Sequence, residues 1–310
     1  MAKGGAWGDL DGAVDRMKHI VGVCRFSMLG RGDWKAYRGQ PDEALERIYD
    51  EKALELFAPD RLEARLATFR YLTLASMAAQ TDQDFVFIVV SSDRMPRVYQ
   101  DRLRVLCAGI PQVVLRFVPP MHIGDAQRAI MEELSLPLAD CLQFRLDDDD
   151  CVSRDYVRRL RRVGQMNRRQ AIFGVSFSQQ YYCVTDGPTK GVYNWYSPFF
   201  SAGAAVRHPR ETVFGFGHYQ IPHRMFAVTD PHFPNLVTHR GDNDTPRHEA
   251  AILKKRGMVP ASAEEMRKAV ERHFSFLTRQ GMVACQLSGL FSLPEAQPAE
   301  PLPEASRLIA

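Results

Sequence analysis

The chain predicts an α/β fold, a mostly parallel sheet flanked by helices, and three observations carry that prediction. Short apolar runs rich in β-branched and aromatic residues recur through the first half, at 19–26, 85–90, 113–118 and 141–146. Between them, apolar residues fall at three- and four-residue steps, the period of an amphipathic helix. The runs are nearly continuous rather than alternating, as expected for strands that helices cover on both faces.

The first run, HIVGVCRF (19–26), is too short for a typical helix and gives way to a polar, Arg- and Gly-rich loop from Ser27 to Gln40. From Arg61, the residues Leu62, Leu66, Phe69, Leu72 and Ala79 mark one helical face that runs to about Gln80, and Thr81–Asp84 break it. FVFIVV (85–90) is the second strand and stops at Ser91-Ser92-Asp93. A helix at 98–107, a strand at 113–118, a helix at about 125–134 and a strand at 141–146 follow. A helix at 153–163 and a strand at 171–178 continue the pattern. Strands separated by helices imply right-handed crossovers, and such sheets bind ligands at the carboxyl ends of their strands. Three polar segments qualify as candidate sites: Arg25–Ser27, Ser91–Asp93 and Asp147–Asp150.

Composition narrows the class. With 45% hydrophobic and 25% charged residues the chain has enough apolar side chains for a core, which excludes a wholly disordered protein. Residues 1–17 and the Pro- and Glu-rich tail 286–310 lack such patterning, so the ordered body is expected over 18–285, with halves 18–152 and 153–285 in one domain. No run reaches the roughly 18–20 apolar residues of a membrane span, and the first residues lack the apolar core of a signal peptide, so a cytoplasmic protein is expected. Six cysteines without CxxC or Cys/His spacing predict buried free thiols rather than zinc or disulfides.

A net charge of +3 is too small to mark a nucleic-acid binder. The densest basic cluster is Arg158, Arg159, Arg161, Arg162, Arg168 and Arg169. It reads as the solvated face of a core-packed helix. The functional alternative is peripheral attraction to the anionic inner face of a membrane or to a polyanionic acceptor.

The run Asp147-Asp148-Asp149-Asp150 sits directly after an apolar strand. Adjacent like charges repel by about 1 kcal/mol per close pair in a partly screened site, so stability alone would not select them. A hard divalent ion, Mn2+ or Mg2+, resolves that repulsion with one or two carboxylates, water and substrate phosphate as ligands. A solvated acidic turn capping the next helix is the other reading. An EF-hand loop is excluded by its missing glycine and glutamate.

A strand that ends in Asp-x-Asp in a doubly wound half-sheet resembles the nucleotide-sugar glycosyltransferases of the GT-A fold, and more narrowly a bacterial rhamnosyltransferase-like family. The matching residues are Arg25-Phe26-Ser27, the segment Arg65–Gln80 with Leu74-Ala75-Ser76, Gln80–Phe85, Ser91–Pro96, Phe144–Asp150 and His239–Asn243, over roughly residues 20–250. The resemblance implies a GT-A-like domain whose first half binds a nucleotide-sugar donor and whose second half, with a smaller sheet, faces a glycan or small hydroxyl acceptor. It implies that Arg25, Phe26, Ser27 and Asp93 line the base and ribose. Asp147 would reach the ribose or metal, Asp148 would belong to the nucleotide-sugar site, and Asp149 would reach the metal that bridges the diphosphate. Arg145 would either assist the leaving group or form a salt bridge.

In the second half, Tyr181, Tyr182, Tyr193, Trp195, Tyr196, Phe199 and Phe200 crowd one region. They suit stacking on a sugar ring or filling a second small core. Thr238–Asp244 is a further polar constellation. A neutral His239 imidazole can complete a metal site begun by carboxylates, as the fold's C-terminal histidine does, or stand as a surface histidine; Arg240 could hold phosphate. His218, His223 and His232 are lesser candidates. An inverting enzyme of this fold needs an acidic base for the acceptor hydroxyl. Asp242 ranks first because it shares the His239 loop, ahead of Asp230 and Asp244. Two function classes stand: a metal-dependent glycosyltransferase, and a non-catalytic nucleotide- or cation-binding protein on the same scaffold.

Overall fold

A computed structural model describes residues 18–31, 41–241 and 249–293. Strand β1 (His19–Phe26) is followed by helix α1 (Asp42–Leu56). One long helical segment comes next, made of α2 (Pro59–Thr68), a π-helical turn (Phe69–Leu74) and α3 (Ala75–Ala78). The first half continues with β2 (Val86–Ser92), α4 (Arg97–Ala108), β3 (Val113–Val118), α5 (Ile123–Glu133), β4 (Cys141–Arg145) and the short β5 (Cys151–Val152). The second half holds α6 (Tyr156–Met166), β6 (Phe173–Phe177), β7 (Gln179–Val184), β8 (Gly191–Tyr196), β9 (Ala205–Arg207), α7 (Ile221–Arg224), β10 (Phe226–Asp230) and β11 (Asn235–His239). It closes with α8 (Ala250–Lys255), β12 (Val259–Pro260), α9 (Ala263–His273) and α10 (Arg279–Ala284).

The main sheet has seven strands in the order β10-β6-β9-β4-β1-β2-β3. All its pairings are parallel except those of β9, which is antiparallel to β4 and β6. From β1 the chain winds outward through β2 to β3, then returns to the other side of β1 as β4. The strand order therefore reverses between β1 and β4, where crossover loops part and leave a crevice at the carboxyl ends. Val23 pairs with Arg145 in that register, and Leu146 N–H donates to the Val23 carbonyl at 3.1 Å. The segments after Phe26 and after Arg145 thus leave the same edge side by side. A five-stranded sheet, β12-β8-β7-β11-β5, forms a second layer. This is the GT-A-like arrangement expected, an α/β domain with a smaller second sheet.

Burial explains the close fit at the centre. β1 buries Ile20, Val21, Val23, Cys24 and Phe26 completely. Between them Gly22 leaves room for two rings: a Cβ there would lie 2.3 Å from Phe144 and 2.5 Å from Phe87. The main apolar cluster joins both halves of the chain, from Ile20 and Phe69 to Trp195 and Val237. All six cysteines are free and buried, as expected. Among the described residues no helix is long and apolar enough to cross a membrane.

Several boundaries differ from expectation. The predicted helix 61–80 begins at Pro59 and contains a π turn. Helix α1 had no sequence assignment. The ordered body extends past 285, because Leu287 and Phe291 are buried against α9 and α10. Strands β7 and β8 carry glutamine, asparagine and aromatic residues rather than an aliphatic run, so their sequence reads as an aromatic loop.

Candidate functional site

The aspartate run is a buried loop held from two sides. On one side stands the long helical segment. Arg65 of α2 places Nη1 2.9 Å from Asp148 Oδ1 and 2.7 Å from Asp149 Oδ2. Thr68 Oγ1 donates to the Asp148 carbonyl at 3.2 Å, and Thr73 Oγ1 to the carbonyls of Asp150 at 2.9 Å and Asp147 at 3.3 Å. Thr68 and Thr73 are five residues apart, a spacing that an α-helix would send to different faces and that the wider π turn brings into line. Further on, Gln80 Nε2 donates to the Ser153 carbonyl at 3.0 Å while its Oε1 accepts from Val157 N–H at 2.9 Å. The same helix therefore fixes the loop and the start of α6.

On the other side stands the end of β11. Thr238 N–H donates to Asp150 Oδ1 at 3.0 Å, and Thr238 Oγ1 donates to the Asp149 carbonyl at 2.8 Å. His239, the next residue, is buried and faces the same cleft. At the third corner Arg145 Nη2 donates to Asp147 Oδ1 at 3.1 Å. Gly203 supports it: its N–H donates to the Arg145 carbonyl at 2.9 Å, and its left-handed φ of +73° would strain any other residue.

These groups line a cleft of about 690 Å3 at the β1/β4 crevice. Its cations are Arg25, Arg61, Arg65, Arg145 and Arg256, and its anions are Asp147 to Asp150. Phe214 packs under two of the cations, with its ring centre 5.0 Å from the Arg145 guanidinium and 5.4 Å from that of Arg25. The opposite wall is a run of rings in successive contact. His239 meets Tyr182 at 5.9 Å, Tyr182 meets Trp195 at 5.8 Å, and Trp195 meets Phe200 at 5.2 Å. Phe200 meets His218 at 6.1 Å, and His218 meets Tyr219 at 4.1 Å. Tyr181 and Phe199 are buried elsewhere, so the aromatic cluster both fills core and lines the cleft.

The electrostatics of the loop are uneven. Burial pushes the Asp147 carboxyl up, but Arg145 and Arg25 outweigh it and hold the group well below the usual carboxylate range. Burial raises Asp148 to about 6, with Asp149 and Asp147 adding to the rise and Arg65 opposing it. Asp150 is raised strongly, first by burial and then by the charges of Asp149 and Asp147. Asp147 is thus held as the anion, whereas burial and mutual repulsion oppose ionisation of Asp148 and Asp150. His218 is pushed down by burial and by Arg145. Its Nδ1 lies 2.6 Å from the Phe199 carbonyl, which makes Nδ1 the protonated nitrogen and leaves Nε2 as an acceptor.

Most of the expected site residues meet in this cleft: Arg25, Ser27, Arg145, Asp147, Asp148, Asp149 and His239. Three do not. Phe26 is fully buried beneath it, 5.1 Å from Phe69. Asp93 is exposed at the end of β2 and stands outside the lining. Asp230 ends β10, paired with Arg159 at 2.8 Å and with His232 Nδ1 at 2.9 Å, also outside the lining. Asp242, Asn243 and Asp244 lie outside the described residues. His223 and His232 are exposed, whereas His218 lines the cleft. Sequence reading gave no role to Arg61, Arg65, Thr68, Thr73, Arg256 or Tyr219. A signal existed for the first four, since polar residues at 61, 65, 68 and 73 interrupt or border the apolar stripe of a helix that the core covers.

In the arginine cluster, Arg158 pairs with Asp155, Arg159 with Asp230, and Arg161 with Asp82 and Asp84. These pairs belong to the solvated face of a core-packed helix, whose other side buries Val157, Leu160 and Val163.

Among the described residues no group of three or more His, Cys, Asp or Glu side chains is arranged to hold a metal ion. The donor set fits a cation only with one or two protein ligands, the remainder coming from water and substrate.

No curated protein matches the chain. A family model described as "Putative rhamnosyl transferase" matches residues 19–252. That span holds β1, the helical segment that carries Arg65, the aspartate loop and β11 up to His239. The chain belongs to this family of glycosyltransferases.

Proposed function

We propose that the protein transfers a sugar from a nucleoside diphosphate donor to a hydroxyl acceptor in the cleft at the β1/β4 crevice. The observation that supports this most is the convergence there of five arginines, four aspartates, three of them buried, and a wall of aromatic rings. Breaking a glycosyl–diphosphate bond puts negative charge on the leaving oxygen, and fixed cations stabilise that charge as it grows. Arg25 and Arg145, braced on Phe214, and Arg256 suit the diphosphate. Trp195, Phe200 and Tyr219 suit the apolar face of a sugar. The volume falls within the range of sites that enclose a small ligand.

A divalent ion such as Mn2+ or Mg2+, when bound, would neutralise diphosphate charge, and Asp149 and His239 are the residues we assign to it. Asp147 stays with Arg145 beside the donor. Asp148 completes the acidic lining. We assign the acceptor's proton to Asp242, three residues after His239, rather than to Asp230, whose carboxylate is engaged by Arg159 and His232. Rhamnose as the sugar follows from the family description alone.

Calorimetric titration tests the reading. Thymidine or uridine diphosphate should bind with Mn2+ present and much more weakly after chelation, and one nucleotide sugar should hydrolyse slowly. A shift in melting temperature for a thymidine-linked donor and not a uridine-linked one supports the rhamnosyl assignment. Absence of binding by every nucleoside diphosphate overturns the reading. Binding without turnover of any donor sugar identifies a non-catalytic pocket.

A further inference from the structure

We propose that Arg65 is the resident counter-cation of the aspartate loop, and that a divalent ion enters the cleft by taking Asp149 away from it. The inference deepens the glycosyltransferase reading above and rests on it for the identity of the nucleotide. Arg65 is buried, and a single guanidinium nitrogen bridges two neighbouring carboxylates at 2.9 and 2.7 Å. Its side chain and those of Asp148 and Asp149 are each 10% exposed or less. Arg61 adds a longer-range attraction to Asp148, but its guanidinium and that of Arg145 are bonded elsewhere. Arg145 serves Asp147, and Arg61, one turn before Arg65, directs Nη1 to Ser27 Oγ and the Leu56 carbonyl, both at 3.3 Å.

The same helix supplies Thr68 and Thr73 to the loop carbonyls, so the backbone of the run is held independently of its carboxylates. The carboxylate of Asp149 can therefore change partner while the loop keeps its shape. An ion that binds Asp149 must displace the guanidinium from it, which leaves Arg65 with Asp148 at 2.9 Å and one carboxylate fewer, a loss that a second anionic partner would make good. A diphosphate in the same cleft is such a partner, because guanidinium pairs with phosphate oxygens as it does with carboxylate. Metal and nucleotide should therefore bind cooperatively, and the coupling should run through Arg65.

The test uses Mn2+ alone, thymidine diphosphate alone, and both together, by calorimetry on the full chain. In the wild-type protein Mn2+ should bind weakly alone and on the order of tenfold more tightly with the nucleotide. Arg65→Met should bind Mn2+ alone about tenfold more tightly than wild type, lose most of the coupling, and show a larger rise in melting temperature with Mn2+. Asp148→Asn, nearly isosteric, covers the case in which Arg65→Met does not fold. It removes the charge that competes with Asp149 for Arg65 and should weaken Mn2+ binding. The proposal is overturned if Arg65→Met binds Mn2+ no more tightly than wild type, if Asp148→Asn binds it more tightly, or if no form binds it. Should neither thymidine diphosphate nor any other nucleoside diphosphate bind while the Mn2+ effects hold, the glycosyltransferase reading falls and the role of Arg65 stands.

Discussion

Two runs of like charge lie close together in the chain, and the fold treats them in opposite ways. Asp147–Asp150 is largely buried, and its carboxylates and carbonyls are met by specific donors from β4, α2, the π turn and β11. Arg158–Arg169 lies on and beyond α6 and projects largely to solvent, where its ion pairs are local or partly exposed. The sequence of either run states only its charge. What separates them is position: the first leaves a parallel strand at the crevice where the strand order reverses, and the second decorates the outer face of a helix. Burial turns the first into a strained charge cluster that a ligand can relieve, whereas water screens the second.

The largest effect that would break this comparison is on turnover. Asp149→Ala removes a carboxylate from the buried run, and the expected loss of donor hydrolysis is about 10²–10³-fold, the size seen when one electrostatic stabiliser of a transition state is deleted. The fold should persist, because Arg65 keeps Asp148 at 2.9 Å and one source of repulsion is gone. The urea midpoint is therefore expected at or above the wild-type value. Normal turnover in this variant would place the run on a par with the arginine cluster, a charged surface with no chemistry.

A smaller effect concerns how the buried run is held. Thr73→Val keeps the shape and removes one hydroxyl, which donates to the carbonyls of Asp150 and Asp147. A buried carbonyl left without a donor costs about 1–3 kcal/mol. Urea unfolding should show that loss with an unchanged slope. If stability stays within about 0.5 kcal/mol, the π turn does not brace the loop.

The difference between the runs also shows where sequence suffices. β1, β2, β3 and β4 were legible because each is a nearly continuous apolar run, and the aspartates were legible as a site because they follow one of those runs. The residues that hold the aspartates were not. Arg65, Thr68 and Thr73 sit in a stretch whose apolar period dominates, and the π turn that aligns the two threonines is a shift of one residue that periodicity does not register. The second sheet was implied by the resemblance, but its strands were not legible in the residues for another reason. β11 is Asn-Leu-Val-Thr-His, and all five of its residues are buried. Its polar side chains find partners distant in sequence, as where Asn235 Nδ2 donates to the Phe177 and Ala202 carbonyls. Composition cannot anticipate those partners. The resemblance located His239 at the cleft, whereas Asp93 and Phe26, taken from the same source, lie outside its lining.

The smallest effect divides the arginine run itself. Arg161 is partly buried, with Nε 2.7 Å from Asp82 and Nη2 3.2 Å from Asp84, and it ties α6 to the loop before β2. Arg162, the next residue, is exposed. Arg161→Ala should therefore cost about 1 kcal/mol, the upper end for a solvent-accessible pair. Arg162→Ala should change stability by about 0.5 kcal/mol or less. Repeating both measurements at high salt sharpens the contrast: screening should shrink the Arg161 loss and leave Arg162 unchanged. Equal costs for the two substitutions would mean that the pairs on α6 contribute nothing beyond their charge. The difference between the runs would then be one of sign and not of burial.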